Sequence, residues 1–400
     1  MKKTLIATAA ALASAGAWSQ VTLYGLADVS LTHVTGYAQG SVTRLSSGHM
    51  EGSRWGIKAE EDMGGGYKAL VTLESRIELG TGGLSNRPAS GSQIPDRLTA
   101  GLPAAVAAGV AGAIGPSLGV NLNNAGFDRQ AWVGLVTPIG GFLMGRQYTP
   151  GFEAFATFDI MNVQSALSPG QMVTVPAGID IRYNNTVQYR IVQGPWSGAL
   201  MYGLGEGANS ASNRLLGINT LYKGGGFNVG LGHNTKKNSA GQQALKTTVL
   251  GASTARGSWT VSGMLARIEE PNPSSGPELG AGLTAAGVPA PLVSAVLSRL
   301  AQDANLLHVG ARYDMGTAGH VTVAYNKLND KRASNADVTS YGVAYTYPLS
   351  KRTNLNAVVT RFNNSATAQV APGGNGYLGG VTATAGRDAT SLALGMRHSF

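Results

Sequence analysis

A serine framed by glycines, GPSLG at 115–119, has the spacing that presents a nucleophile on a strand-to-helix elbow. Its neighbours are Ala, Gly and Pro with no strand pattern before them, so the match is one of chance. Histidines at 33, 49, 233, 308, 320 and 398 could move protons or hold a metal, yet no two have HExxH spacing. The glycine triplets at 64–66 and 224–226 lack the Lys-Ser/Thr of a phosphate loop. Cysteine is absent, which removes thiol nucleophiles, thiolate ligands and disulfides. The expectation is no enzyme, no metal and no cofactor. What the chain does carry is charge: 30 Lys and Arg against 21 Asp and Glu, dispersed rather than gathered. No basic run or aromatic RNA motif accompanies them, which argues against nucleic acid. Charge spread along a wall does other work: it attracts, orients and sorts ions.

The segments that carry these charges alternate. In YKALVTLESRIEL at 67–79, Tyr67, Ala69, Val71, Leu73, Ile77 and Leu79 share one face, and Lys68, Thr72, Glu74, Arg76 and Glu78 the other. Arg76 thus lies between two carboxylates that can neutralise it. Arg54 and Lys58 share a parity in the segment before. One such strand would also fit a soluble sandwich, so the count matters more. Sixteen segments begin near residues 21, 53, 67, 128, 142, 181, 199, 213, 227, 246, 259, 306, 320, 338, 353 and 390. Seven short connections and eight longer ones join them, the fifteen that sixteen strands need. Glycine in the short ones supplies the positive φ of tight hairpins. Two-faced segments of roughly ten residues with short turns on one side form the pattern of a transmembrane barrel. Charged residues, at 13%, fall well below the soluble average of about 25%. The expected fold is all-β, a closed sixteen-stranded antiparallel barrel with both ends on the turn side. Closure leaves no unpaired edge in lipid.

Three stretches depart from alternation. Residues 1–19 have Lys2 and Lys3, a short apolar run and then small residues, the order of a secretory leader. Cleavage after Ser19 leaves Gln20 first, and cleavage after Ala17 leaves Trp18 first. The barrel domain is then 20–400. The uncharged run 98–127 is broken by Pro103 and Pro116 and reads as a loop insertion with room for a short helix. The stretch 279–303 reads the same way, with a helix over 291–300. The closing segment, TSLALGMRHSF, puts Leu392, Leu394, Met396, His398 and Phe400 on one parity. Phe400 would end the last strand on the lipid face, in the aromatic girdle, where that strand meets the first.

The runs VTLYGLADV, SRWGIKAEEDMGGGYKALVTLES, RQAWVGL, GRQYTP, RYNNTVQY and LGMRHSF are spread over 21–400. In this order the chain resembles the general diffusion porins of Gram-negative bacteria, of the trimeric sixteen-strand type found in beta-proteobacteria. The resemblance implies a cell outer-membrane homotrimer in contact with lipid and lipopolysaccharide, passing small anions and other hydrophilic solutes. It implies that Phe400 is also the assembly signal read by the barrel-assembly machinery. It implies a third outer loop, 148–180, folded inward. There Glu153 and Asp159 are the candidates for the acidic side of a constriction. Asp159 is the better match, a capping or solvated role competes for both carboxylates and more strongly for Glu153, and Val163 stands where relatives often have an acid. The opposite wall would carry Arg54, Arg129 and Arg182, with Lys58 beside Arg54, and the excess of arginine implies anion preference. A substrate-specific outer-membrane channel, or a barrel adhesin acting through the insertions at 80–127 and 269–305, are the alternative readings.

Overall fold

The computed structural model describes residues 20–163, 165–173, 178–205, 212–373 and 379–400. The expected leader, 1–19, lies outside the described residues. The strands are β1 (Gln20–Tyr37), β2 (Gly40–Ser47), β3 (Arg54–Gly64), β4 (Tyr67–Arg76), β5 (Gln130–Thr137), β6 (Gly140–Tyr148), β7 (Arg182–Gln193), β8 (Trp196–Gly203) and β9 (Leu215–Gly224). They continue as β10 (Phe227–Lys237), β11 (Gln243–Arg256), β12 (Trp259–Glu270), β13 (Gln302–Asp314), β14 (His320–Asp330), β15 (Val338–Pro348), β16 (Thr353–Asn364) and β17 (Ala389–Ser399). Sequence neighbours pair antiparallel from β3 through β17, and β17 returns to β1, with Leu26 opposite Ser399 and Val34 opposite Ser391. β1 pairs with β2 along its outer half and with β3 along its inner half. β2 and β3 are therefore two halves of one interrupted position, and the ring has sixteen positions.

All sixteen expected segments are present. The half-strand β2 is an addition to them: the expected first outer loop is mostly ladder, turned at residues 38–39. On the outside, Val21, Leu23 and Leu31 of β1, Leu216 and Ile218 of β9, and Tyr341, Val343 and Tyr345 of β15 are exposed at alternate positions. Such a face is stable only against lipid. Near the turns, cross-strand aromatic pairs Phe142–Tyr189, Trp196–Tyr222 and Trp259–Tyr313 have ring centroids 5.1, 5.0 and 4.7 Å apart. These are the girdle residues that tolerate a half-wet headgroup layer. No helix among the described residues is long and apolar enough to cross a membrane.

Both insertions are outer loops, and they pack on each other. Helix α1 (Ala104–Ile114) comes from the first, and α3 (Gly276–Ala285) and α4 (Ala290–Leu300) from the second; α2 (Pro150–Phe158) lies between them in sequence. Val110 of α1 meets Leu283, Val293, Val296 and Leu300 in one apolar cluster. Here α4 is the helix expected over 291–300, whereas α3 is an addition.

The seam closes on the last residue. Phe400 N–H donates to the Gly25 carbonyl, and Gly25 N–H donates to the Phe400 carbonyl, each at 3.1 Å. The Phe400 ring lies over Gly25, where any Cβ would overlap it. The ring is 52% exposed on the outer face, as its parity requires. Two backbone bonds and a ring seat thus depend on this pair, each bond contributing about 0.5–1.5 kcal/mol. Deleting Phe400, or replacing Gly25→Val, should lower the yield of heat-modifiable folded barrel on gel electrophoresis. Wild-type yield from both variants would show that closure does not depend on this contact.

Candidate functional site

Inside the barrel, the third outer loop lies against the wall rather than in solvent. The wall admits it through glycines at inner-face positions of four strands. A Cβ at Gly217, Gly232, Gly251 or Gly310 would overlap Pro150, Ala154, Phe158 or Ile160 respectively. Glycine inside a strand costs stability and is kept where another backbone comes close. The same wall satisfies the loop's backbone. Asn234 Oδ1 accepts from Gly151 N at 2.9 Å, and Ser262 Oγ donates to the Phe158 carbonyl at 2.6 Å. Arg312 Nη2 donates to the Ile160 carbonyl at 2.7 Å, and Asn326 Nδ2 to the Leu167 carbonyl at 3.0 Å. His308 pairs through Nδ1 with Asn326 Oδ1 at 2.6 Å and accepts the Ile160 N–H at Nε2, which fixes a neutral tautomer with the proton on Nδ1.

This docking decides where each carboxylate of the loop points. Thr149 caps α2 by accepting the Phe152 N–H, and Glu153 then faces the open lumen. Glu153 is ion-paired with Arg190 and accepts from Asn219 Nδ2 at 3.1 Å. Asp159 is turned inward to the loop itself and is only 2% exposed. Its oxygens accept from Met161 N at 2.9 Å, Val163 N at 2.7 Å and Ser168 Oγ at 2.5 Å. Those bonds hold Asn162 (φ 53°) and Val163 (φ 60°) in left-handed backbone that a β-branched residue resists. Asp159 Oδ1 is 3.7 Å from His308 Nε2, but that nitrogen is already an acceptor, so the contact is not an ion pair. Of the two expected carboxylates, Glu153 reaches the cavity and Asp159 organises the loop behind it.

The lumen beside the loop contains a cavity of 560 Å³. Arg54 and Arg129 line it and share one carboxylate. Arg129 Nε lies 2.7 Å from Glu74 Oε1, and Arg54 Nε lies 3.3 Å from Glu74 Oε2, while Tyr24 donates its hydroxyl to Glu74. Arg182 is not on this wall; it stacks on the Tyr148 ring at 4.4 Å and donates to the Tyr148 hydroxyl at 2.7 Å. Tyr148 also accepts from Arg129 Nη2, so this phenol links Arg182 to the cavity lining. Lys58 shares the inner parity but sits over the Tyr24 ring at 4.6 Å, off the cavity lining. Arg76 is neutralised, by Asp128 at 3.2 Å and Glu78 at 3.4 Å. In the outer loop, burial pushes the Glu78 carboxyl up against the opposing pull of Arg76.

Sequence reasoning missed several wall charges. Arg190 and Lys223 line the same cavity. Adjoining it, a second cavity of 320 Å³ is lined by Arg312, Arg397 and His320. Strand parity could have found Arg312 and Arg397, each on the inner-face register of its strand. The most informative omission is Glu51, which lies in the break between β2 and β3 and lines both cavities. Nothing local announces its direction, which Asp28 sets. The Asp28 carboxylate accepts from the backbone N–H groups of His49, Met50 and Glu51 at 3.0, 3.0 and 2.9 Å.

A closed ring with a lipid-compatible outside and a charged, loop-narrowed inside defines an outer-membrane channel barrel. The profile described as Gram-negative porin matches residues 4–367, and the chain belongs to that family. It is 26% identical over its whole length to outer membrane porin protein 32 of Delftia acidovorans, and equally so to an outer membrane porin protein of Bordetella pertussis, with each relative also covered in full. Its fold is similar to that of the anion-selective porin from Comamonas acidovorans, with a TM-score of 0.71 at 23% identity, covering 96% of this chain and 100% of that one. The protein is a Gram-negative outer-membrane β-barrel porin.

Replacing Asp159→Ala should loosen the loop without opening the barrel. It strands two N–H groups and a hydroxyl, and hydrogen bonds to a charged group contribute about 1.5–3 kcal/mol each. Limited proteolysis should then cut within 160–172 while the barrel stays heat-modifiable. A loop as resistant as wild type would show that Asp159 does not organise it.

Proposed function

We propose that this porin is a passive diffusion channel, not an enzyme, that favours small anions through the waist between its inward loop and the arginine wall. The observation carrying this reading is the charge of the cavity linings. Counted together, they hold six basic side chains, Arg54, Arg129, Arg190, Lys223, Arg312 and Arg397, against Glu51, Glu74 and Glu153. Ions in the waist pass within a few ångströms of these groups, inside the ~8 Å over which physiological salt screens charge. Arginine keeps its charge when partly desolvated, which suits it to this wall. The Comamonas relative is described as anion-selective, which supports the same reading.

In this proposal Arg54 and Arg129 act directly and Arg182 through Tyr148, with Lys58 adding to the field nearby. Glu153 supplies the facing negative charge, and Asp159 keeps the loop in place. The leader 1–19 is removed on export, Phe400 serves the assembly machinery, and the barrel assembles as a homotrimer in lipid and lipopolysaccharide. A solved Vibrio cholerae relative is described in a trimer form, in keeping with that assembly.

The test is the reversal potential of single channels in a KCl gradient. The wild type should show anion preference, weakening as salt rises. The triple variant Arg54→Ser, Arg129→Ser, Arg182→Ser should move toward cation preference. A wild type that prefers cations would overturn the selectivity, and an unmoved triple variant would overturn the role of these arginines.

A further inference from the structure

The break between β2 and β3 forms a small second inward feature facing the third loop. Asp28 folds it through the three N–H bonds described above, and Ser53 Oγ donates back to the Asp28 carbonyl at 2.8 Å. Gly48, at φ 70°, closes its base against Gly52. Met50 packs against the cluster of Ile160, Met161 and Leu167 from the inward loop. The feature is thus braced on both sides, and its one charged side chain projects into the lumen.

That side chain is Glu51. One oxygen lies 2.5 Å from Arg54 Nη2 and the other 2.9 Å from Arg397 Nη1. Arg54 belongs to the larger cavity and Arg397 to the smaller, and among the described residues only Glu51 and Asn162 line both. Two guanidinium groups on separate wall positions therefore grip one carboxylate at the junction of the cavities. The backbone of the feature rests on Asp28, not on Glu51, so the Glu51 side chain is free of any folding task there. Its side chain remains 29% exposed, within reach of a competing solute.

Resting on the anion reading above, we infer that Arg54 and Arg397 form a binding station for small carboxylate or phosphate solutes, with Glu51 as its tethered competitor. A passing anion displaces Glu51 from the two guanidinium groups, and Glu51 returns when the anion leaves. The device keeps the station from holding a solute too long, since conduction needs sites that bind and release. A free dicarboxylate matches the station's chemistry because Arg forks pair two oxygens at once.

The experiment compares wild type, Glu51→Gln and Glu51→Asp as folded channels in bilayers. It reads chloride-current block by malonate, block by inorganic phosphate, and reversal potential in a KCl gradient. With Gln the tethered charge is lost. The half-blocking concentration should fall about three- to five-fold, the size of one partly exposed ion pair, and the reversal potential should move further to the anion side. Asp, which keeps the charge, should stay near wild type. Block strengthened for malonate alone identifies a carboxylate station, and block strengthened for both identifies a general oxyanion station. Unchanged block and reversal potential in Glu51→Gln, in a channel whose wild type prefers anions, would overturn the inference and leave the anion reading standing. A wild type that prefers cations would instead remove the reading on which the inference rests.

Discussion

A loop inside a water-filled barrel must have somewhere to put its backbone polar groups, and here the wall provides it. Asn219, Asn234, Ser262, His308, Arg312 and Asn326 bond to main-chain atoms of the inward loop. A buried carbonyl or N–H left without a partner costs on the order of 1–3 kcal/mol, so these side chains set the path of the loop residue by residue. The glycines at 217, 232, 251 and 310 set its depth. Everything at the waist follows: Glu153 faces the open lumen because α2 is seated, and Asp159 is spent because the turn after it must be held.

The charges of the lumen then sort into two kinds. Some are matched within the protein and contribute to folding. Arg76 with Asp128, and Asp28 with three backbone N–H groups, belong here. Others share too few counter-charges and leave a positive field in the lumen. Arg54 and Arg129 divide Glu74, and Arg54 and Arg397 divide Glu51. A surplus of guanidinium over carboxylate along a narrow path is what a passing anion meets. In the proposal above, ions at the waist and residues in the wall compete for the same partners.

Much of this was legible in the sequence because lipid and water impose opposite demands on successive residues. That opposition made sixteen strand positions readable, placed Phe400 on the outer face, and put Arg54 on the inner one. Two things were not legible. The glycines of strands β9 to β13 look like any others, since their spacing depends on which strands become neighbours and where the loop crosses them. Glu51 lies in a break whose direction is dictated by Asp28 on the adjacent strand, a contact between residues 23 apart in sequence. The exchange of roles between Glu153 and Asp159 has the same origin. Both sit in one short segment, and only its contacts with the wall decide which carboxylate looks out. Helix α4 was readable from its apolar spacing, whereas α3 gains its place by packing in the cluster with Val110 and Val296.

The central claim is that the seated loop sets both the width and the selectivity of the pore. The most direct measurement is single-channel conductance, with reversal potential in a KCl gradient, for the double variant Gly232→Val, Gly251→Val. Valine suits a strand, so the barrel should still form, while the added side chains collide with Ala154 and Phe158 and lift the loop from its seat. The account predicts a folded channel with altered conductance and weaker anion preference than wild type. A folded double variant with wild-type conductance and wild-type reversal potential would contradict it.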